Sequence, residues 1–438
     1  MRRVPITVPT WLWITGLALG AVLGTAVLAP TPVPIVVVAC ALLGSLAVLQ
    51  VDVLFEWIVA AYWITFCLFS TMLVDQVVAG QFYPFYLAFV IGAIASLVLG
   101  GIRIHPTVAW AYVGLMFLHV YSLIGFADPL GSETLDRLIV YPFGALVLLQ
   151  FRSARGLRPV SFAATASSLA IAVWVIVSAV RGDFAYRGSI DVNQNVVSFY
   201  VALGFLIAFA TYLQTFRSRH RFWHRIFLFL ALGTMAYALV LLASRGMIIA
   251  TSLALTALMI RAALRDPRKL ATFVVVLLLA ALGLLLPGGT GILERFEEPG
   301  TATGGGRVQI WSVVIEEMAA AGPVDLVFGH GFGASRDAVE RRFAPLASTH
   351  NAFLQVAFDL GLAGLALFLT LHWHVLARSR SVPDPEGAQM LGLVTFLLAA
   401  NMFMSTPDGY LYWTTLGFTL ALATWGGRRP TNARAAGS

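Results

Sequence analysis

The sequence predicts an all-α, polytopic integral membrane protein, with about twelve to fourteen transmembrane helices and a large folded loop on the outer side of the membrane. Three observations predict it. Of 438 residues, 59% are hydrophobic and 11% charged, against roughly 45–50% and about 25% in a soluble domain. Mean hydropathy is +0.85. Apolar runs of about 20 residues recur along most of the chain, each long enough to cross the hydrocarbon as a helix. So few charges cannot cover a water-facing surface, which excludes a soluble enzyme, a disordered scaffold and a disulfide-rich secreted domain. The net charge of +7 does not describe a nucleic-acid binder either, because the cations sit in short clusters between apolar runs.

The elements follow in order. Met1, Arg2 and Arg3 precede an apolar stretch from Trp11 to Leu28. It is long for a signal-peptide core and more spans follow, so it is expected to be an uncleaved first transmembrane helix, with Gly16, Gly20 and Gly24 on one packing face. Further apolar segments lie near 33–50, 55–72, 82–100, 107–125, 138–151, 160–180, 196–213, 226–243, 246–263, 270–287, 351–374, 388–404 and 410–426. Cys40 and Cys67 fall inside such runs and read as small buried hydrophobes, not as a disulfide or metal pair. The chain divides into N-terminal transmembrane helices (1–180), transmembrane helices with outer-face Arg motifs (181–287), a large periplasmic loop domain (288–350), and C-terminal transmembrane helices with a cytoplasmic tail (351–438).

Arginine placement sets the expected orientation. With the N-terminus in the cytoplasm, alternating spans put Arg2, Arg3, Arg103, Arg152, Arg155, Arg158, the 217–225 and 261–269 clusters, Arg378, Arg380 and the tail arginines inside. Those are 19 of the 28 cations. Both termini are then cytoplasmic. The long loop at 288–350 carries Gly304, Gly305 and Gly306, an amphipathic helix from Arg307 to Ala321, a GHGFG turn from Gly329 to Gly333 and a second polar helix near 335–343. A loop this long in a compact protein is functional or disordered, and its helical spacing of apolar residues favours a folded one.

The few outer-face cations carry the chemical signal. Arg245 stands in LLASRGMII, with only Ser-Arg-Gly between two apolar runs. It is either a snorkelling residue at a hairpin turn or an anion ligand facing a cavity. Arg187 precedes Asn193 and Asn195, and could instead pair with Asp183 or Asp191. Arg307 opens the loop helix, one turn before Trp311, and could instead be an ordinary exposed cation. His350 and Asn351 begin the span after the loop. Either Ser348 or Thr349 caps that helix with His350 in its first turn, or His350 is a neutral base at the membrane boundary. His330 in the GHGFG turn is its only rival. Arginine's planar fork suits phosphate oxygens, and a diphosphate has the charge to occupy two or three such groups. No metal-ligand pattern and no cofactor motif occurs.

Arg plus Asn after a short outer loop, SRG at a hairpin, R-x-x-x-W, a Gly-rich turn and HNAFLQVAFDLGLAGLALF together resemble the O-antigen ligase and polymerase superfamily of bacterial envelope glycosyltransferases. The resemblance covers roughly residues 180–375. It implies a GT-C-like, metal-independent and inverting transfer of O-antigen from undecaprenyl diphosphate to a sugar hydroxyl of lipid A–core. Arg187, Arg245 and Arg307 match the family's diphosphate-holding arginines and His350 its base, with Asp191 or Glu316 able to share the proton. Many members carry Asn-Pro-Asn where this chain has Asn193-Gln194-Asn195. The implied setting is the bacterial inner membrane with the site facing the periplasm; the partners are the lipid-linked donor, the lipid A–core acceptor and membrane lipid, with no nucleic acid. Two alternatives remain at this stage: an O-antigen polymerase with the same donor, and a lipid-linked glycan transporter. A transporter would need ionisable groups lining a path to both faces, and Asp359 is the clearest such group inside a span. No signature of oligomeric state is present.

Overall fold

The computed structural model describes residues 104–124, 157–181, 194–215, 222–266, 278, 306–343, 349–404 and 410–426. The expected segments at 11–28, 33–50, 55–72, 82–100 and 138–151, and 270–287 apart from residue 278, together with Arg187, Asp191 and Asn193, lie outside these residues. Among the described residues the structure is all-helical, with no strand. Eight helices coincide with apolar segments: α1 (Pro106–Ile124), α2 (Leu157–Arg181), α3 (Gln194–Thr215), α4 (Phe222–Leu242), α5 (Arg245–Arg265), α9 (Ala352–Ser379), α10 (Glu386–Ala400) and α11 (Tyr410–Trp425). Between α5 and α9 lie three helices of the long loop: α6 (Arg307–Ala320), α7 (Pro323–Phe328) and α8 (Ala334–Arg342). α2 over Val160–Arg181, α3, α4, α5 and α9 are long and apolar enough to cross a membrane, so this is a multi-pass membrane protein.

α3 is the central helix: every residue from Val197 to Ala210 is buried. An apolar helix buried all round must be wrapped by others, and α2, α4, α5 and α10 do so. The Ser168 hydroxyl of α2 donates to the Tyr200 carbonyl of α3 at 2.7 Å. The outer helices invert the soluble pattern. α1 exposes Trp110, Val113, Phe117, Val120 and Tyr121 along one face, the apolar stripe that lipid requires.

The sequence reads 351–374 as one unbroken span; α9 is instead broken at Gly361 (φ 70°, ψ −175°) and runs on to Ser379. The break is made by close backbone contact. A Cβ on Gly361 would lie 2.2 Å from the Val327 carbonyl oxygen, and one on Gly329 would lie 2.2 Å from that of Asp359. Only glycine lets the two chains approach this closely. The carbonyls of Phe358 and Asp359 then accept from His330 N–H (2.9 Å) and Gly331 N–H (3.0 Å). The Asp359 carboxylate accepts from Ser335 N–H at 2.8 Å, in the first turn of α8, where a negative charge is favoured. The acid expected inside a span therefore fastens the loop helices to α9.

The opposite end of α5 is held by Arg261. Its Nε donates to Asp384 (3.0 Å), Nη1 to the Ser379 carbonyl (2.7 Å) and Nη2 to that of Val382 (3.0 Å). This ties α5 to the turn between α9 and α10.

Candidate active site at the loop end of the bundle

Three chain corners meet at the loop end. The first is the α4–α5 hairpin, in which only Ala243 and Ser244 separate two helices. Ala243 has φ 48°, a left-handed conformation that a residue with a Cβ adopts at a cost. Ser244 is the N-cap of α5 by backbone geometry but makes no side-chain cap. Its hydroxyl donates instead to Asn195 Oδ1, at 2.6 Å, in the first turn of α3. Arg245 follows as the first residue of α5 and is half-buried. Gly246 comes next because Phe403 packs against it: a Cβ there would lie 2.6 Å from the Phe403 Cβ.

The second corner is Gly306, at φ 85°, from which Arg307 opens α6. The Arg307 guanidinium lies over the Phe403 ring, 5.9 Å from its centroid. Burial lowers its pKa first, and the neighbouring Arg245 lowers it further. Each of these arginines occupies the first turn of a helix, where the macrodipole disfavours a cation. Two guanidiniums and two helix N-termini gathered together form a site suited to an anion.

The third corner carries His350, at φ 48°. Among the described residues, Ala243 and His350 are the two non-glycine residues with positive φ, and each borders this site. Strain of about 1–3 kcal/mol at such a position persists only where the surroundings enforce it. Here Trp311 Nε1 donates to the Thr349 carbonyl at 2.9 Å on one side. On the other, Ala352 N–H donates to the Asn401 carbonyl at 2.7 Å. Asn401 is itself fixed, its Nδ2 reaching the Tyr412 hydroxyl at 3.3 Å. That hydroxyl lies 2.6 Å from His372 Nε2. Burial holds the His350 imidazole below its ordinary pKa, and Arg307 adds to the effect. Both effects favour the neutral imidazole.

The helix start differs from the expected one. Thr349 does not cap α9, and Ser348 lies outside the described residues. Asn351 is the N-cap, its Oδ1 accepting from Phe353 N–H (3.0 Å) and Leu354 N–H (3.1 Å). An amide at the last extended residue reaches both orphan donors, which leaves His350 outside the helix. Burial and Arg307, rather than a place in the first turn, favour the neutral form of its ring.

The structure thus brings Arg245, Arg307, Trp311 and His350 together, with Asn195 behind Arg245 and Asn351 capping the helix. It takes His330 elsewhere: that ring stacks on Phe358 at 4.2 Å. Glu316 lies half a helical turn around α6 from Arg307 and pairs with Arg342 at 3.1 Å, so it is not placed to share a proton with His350. Phe403 and Asn401 are residues that sequence reasoning missed. A lone amide ending the apolar run at 388–404 was the available signal for Asn401; Phe403 carried none, since it acts through long-range contacts.

Residues 230–369 match the family model described as O-Antigen ligase. That stretch holds Arg245, Arg307, Trp311, His330, His350 and Asp359. No curated protein matches the chain.

Proposed function

We propose that the chain, whose residues 230–369 match the O-Antigen ligase family model, is an O-antigen ligase of the ligase/polymerase superfamily. It transfers O-antigen from undecaprenyl diphosphate to a sugar hydroxyl of lipid A–core. The observation that carries this reading is the pairing of Arg245 and Arg307, each in the first turn of a helix, beside a neutral His350. The acceptor oxygen attacks the anomeric carbon of the first O-antigen sugar, and its proton passes to the His350 imidazole. The bond from that carbon to the diphosphate oxygen breaks. The charge that develops on the leaving undecaprenyl diphosphate falls to Arg245 and Arg307, with Arg187 as the third ligand. One displacement inverts the anomeric carbon. Guanidiniums take the electrostatic role that a divalent ion fills in other diphosphate chemistry, so the reaction is metal-independent and uses no cofactor.

Arginine distribution supports a bacterial inner-membrane setting, with the loop end in the periplasm and both termini in the cytoplasm. The folded loop between α5 and α9 leans this reading towards a ligase, with the loop as the wall on which lipid A–core docks.

The test uses purified protein and lipid-linked O-antigen, with and without lipid A–core. Transfer only when lipid A–core is present is expected. Longer lipid-linked glycans without it would replace the ligase by a polymerase, and no covalent product under either condition would indicate a transporter. Excess EDTA should leave the rate unchanged; loss restored by Mg²⁺ would overturn the metal-free step.

A further inference from the structure

Among the described residues of the loop, α7 is the most exposed helix, and it carries one charge. All six of its residues are exposed, including Val324 at 62% and Phe328 at 40%. Val324, Val327 and Phe328 stand at i, i+3 and i+4, so they share one face. In a water-facing loop such a face would be polar. Its surroundings say what covers it. The Phe328 ring lies 5.9 Å from that of Tyr121, at the end of the exposed apolar stripe of α1 that runs from Trp110 through Val113, Phe117 and Val120. Val327 abuts Gly361, and the next residue, Leu362, is exposed and begins a second apolar stripe, continued by Leu369 and Trp373 on α9. α9 is long and apolar enough to cross a membrane. Both stripes therefore end beside α7.

We propose that α7 is seated in the headgroup–acyl boundary of the bilayer, with Val324, Val327 and Phe328 in lipid. The long loop is then held twice, by the Gly329–Gly361 clasp on the bundle and by α7 on the membrane. This rests on the multi-pass membrane fold and not on the ligase reading. Tyr121 at the junction fits the aromatic belt at membrane interfaces, and a short amphipathic segment lying in that plane buries its apolar face by about 5–10 Å.

The test uses the full chain with Cys40→Ala and Cys67→Ala, a single Val324→Cys labelled with NBD, and vesicles of phosphatidylethanolamine and phosphatidylglycerol. Arg341→Cys on α8 is the comparator, and Val327→Cys is a second α7 site in case the first variant does not fold. The α7 label should emit to the blue of the α8 label. It should lose most of its fluorescence to a lipid with a doxyl group near the top of the acyl chain and little to aqueous iodide; the α8 label should do the reverse. Equal iodide access at both sites would overturn the proposal. So would an α7 label shielded from both quenchers, which would mean that protein, such as a second copy of the chain, covers the face.

Discussion

α5 carries an arginine near each end, and the two live in opposite surroundings. Arg261 has its guanidinium turned onto one carboxylate and two carbonyls, with its side chain 9% exposed. Arg245 stands at a positive helix end beside a second guanidinium that its own charge disturbs. A cation whose donors meet fixed oxygens locks a turn. A cation set beside another at the start of a helix suits an anion that arrives from outside. The same residue type on the same helix is a fastener at one end and, on the proposed reading, a ligand at the other.

The largest effect should come from the base beside that second environment. His350→Ala is expected to lower transfer by about 10²–10⁴-fold while membrane levels of the protein stay normal; attachment of O-antigen at the wild-type rate would remove His350 from the chemistry. Arg245→Lys keeps the charge but loses the bidentate fork, so a loss of roughly 10–100-fold is expected, at about 1.4 kcal/mol per factor of ten. Arg261→Gln should do the opposite. Activity per folded molecule should hold, while thermal unfolding loses about 2 kcal/mol, less than the ~3–5 of a buried pair left with no second partner, because Arg265 still faces Asp384. If Arg261→Gln abolished transfer without changing stability, the contrast between the two ends would collapse.

A pH profile sharpens the same point. Burial and Arg307 both lower the His350 pKa, so the neutral base survives into mildly acid solution. The acid limb of kcat/KM should then fall below the ordinary imidazole value of about 6.5. In the residual activity of Arg307→Gln that limb should move upward, but only partway, since burial remains. No movement would place His350 out of reach of Arg307. The smallest effect is expected from Trp311→Phe, which keeps the ring and removes the donor to Thr349. One lost hydrogen bond of about 1 kcal/mol should slow transfer several-fold.

The two ends were also unequally legible in the sequence. Periodicity and apolar length located α1 to α5 and α9 to α11, because long buried helices announce themselves in one dimension. SRG, R-x-x-x-W and His350 were readable for a related reason: charge at a membrane boundary is costly and so conspicuous. The break at Gly361 was not, since it depends on Val327 and Gly329 arriving from the far side of a loop. Asp359 read only as an ionisable group inside a span, because Ser335, whose N–H its carboxylate accepts, comes from the loop. Asn351 was passed over as N-cap because Ser348 and Thr349 offered the same chemistry one turn earlier. α7 was too short to register a period. Phe403, beneath Arg307 and against Gly246, joins residues more than 90 positions apart, and no local pattern encodes that.

The most direct measurement is binding of undecaprenyl diphosphate to the purified wild-type protein, to Arg245→Lys and to Arg261→Gln, without acceptor. The account predicts that Arg245→Lys binds at least about tenfold more weakly, the loss of one bidentate charged contact, and that Arg261→Gln binds as the wild type does. Equal binding by all three would contradict the assignment of the loop-end arginines to the donor diphosphate.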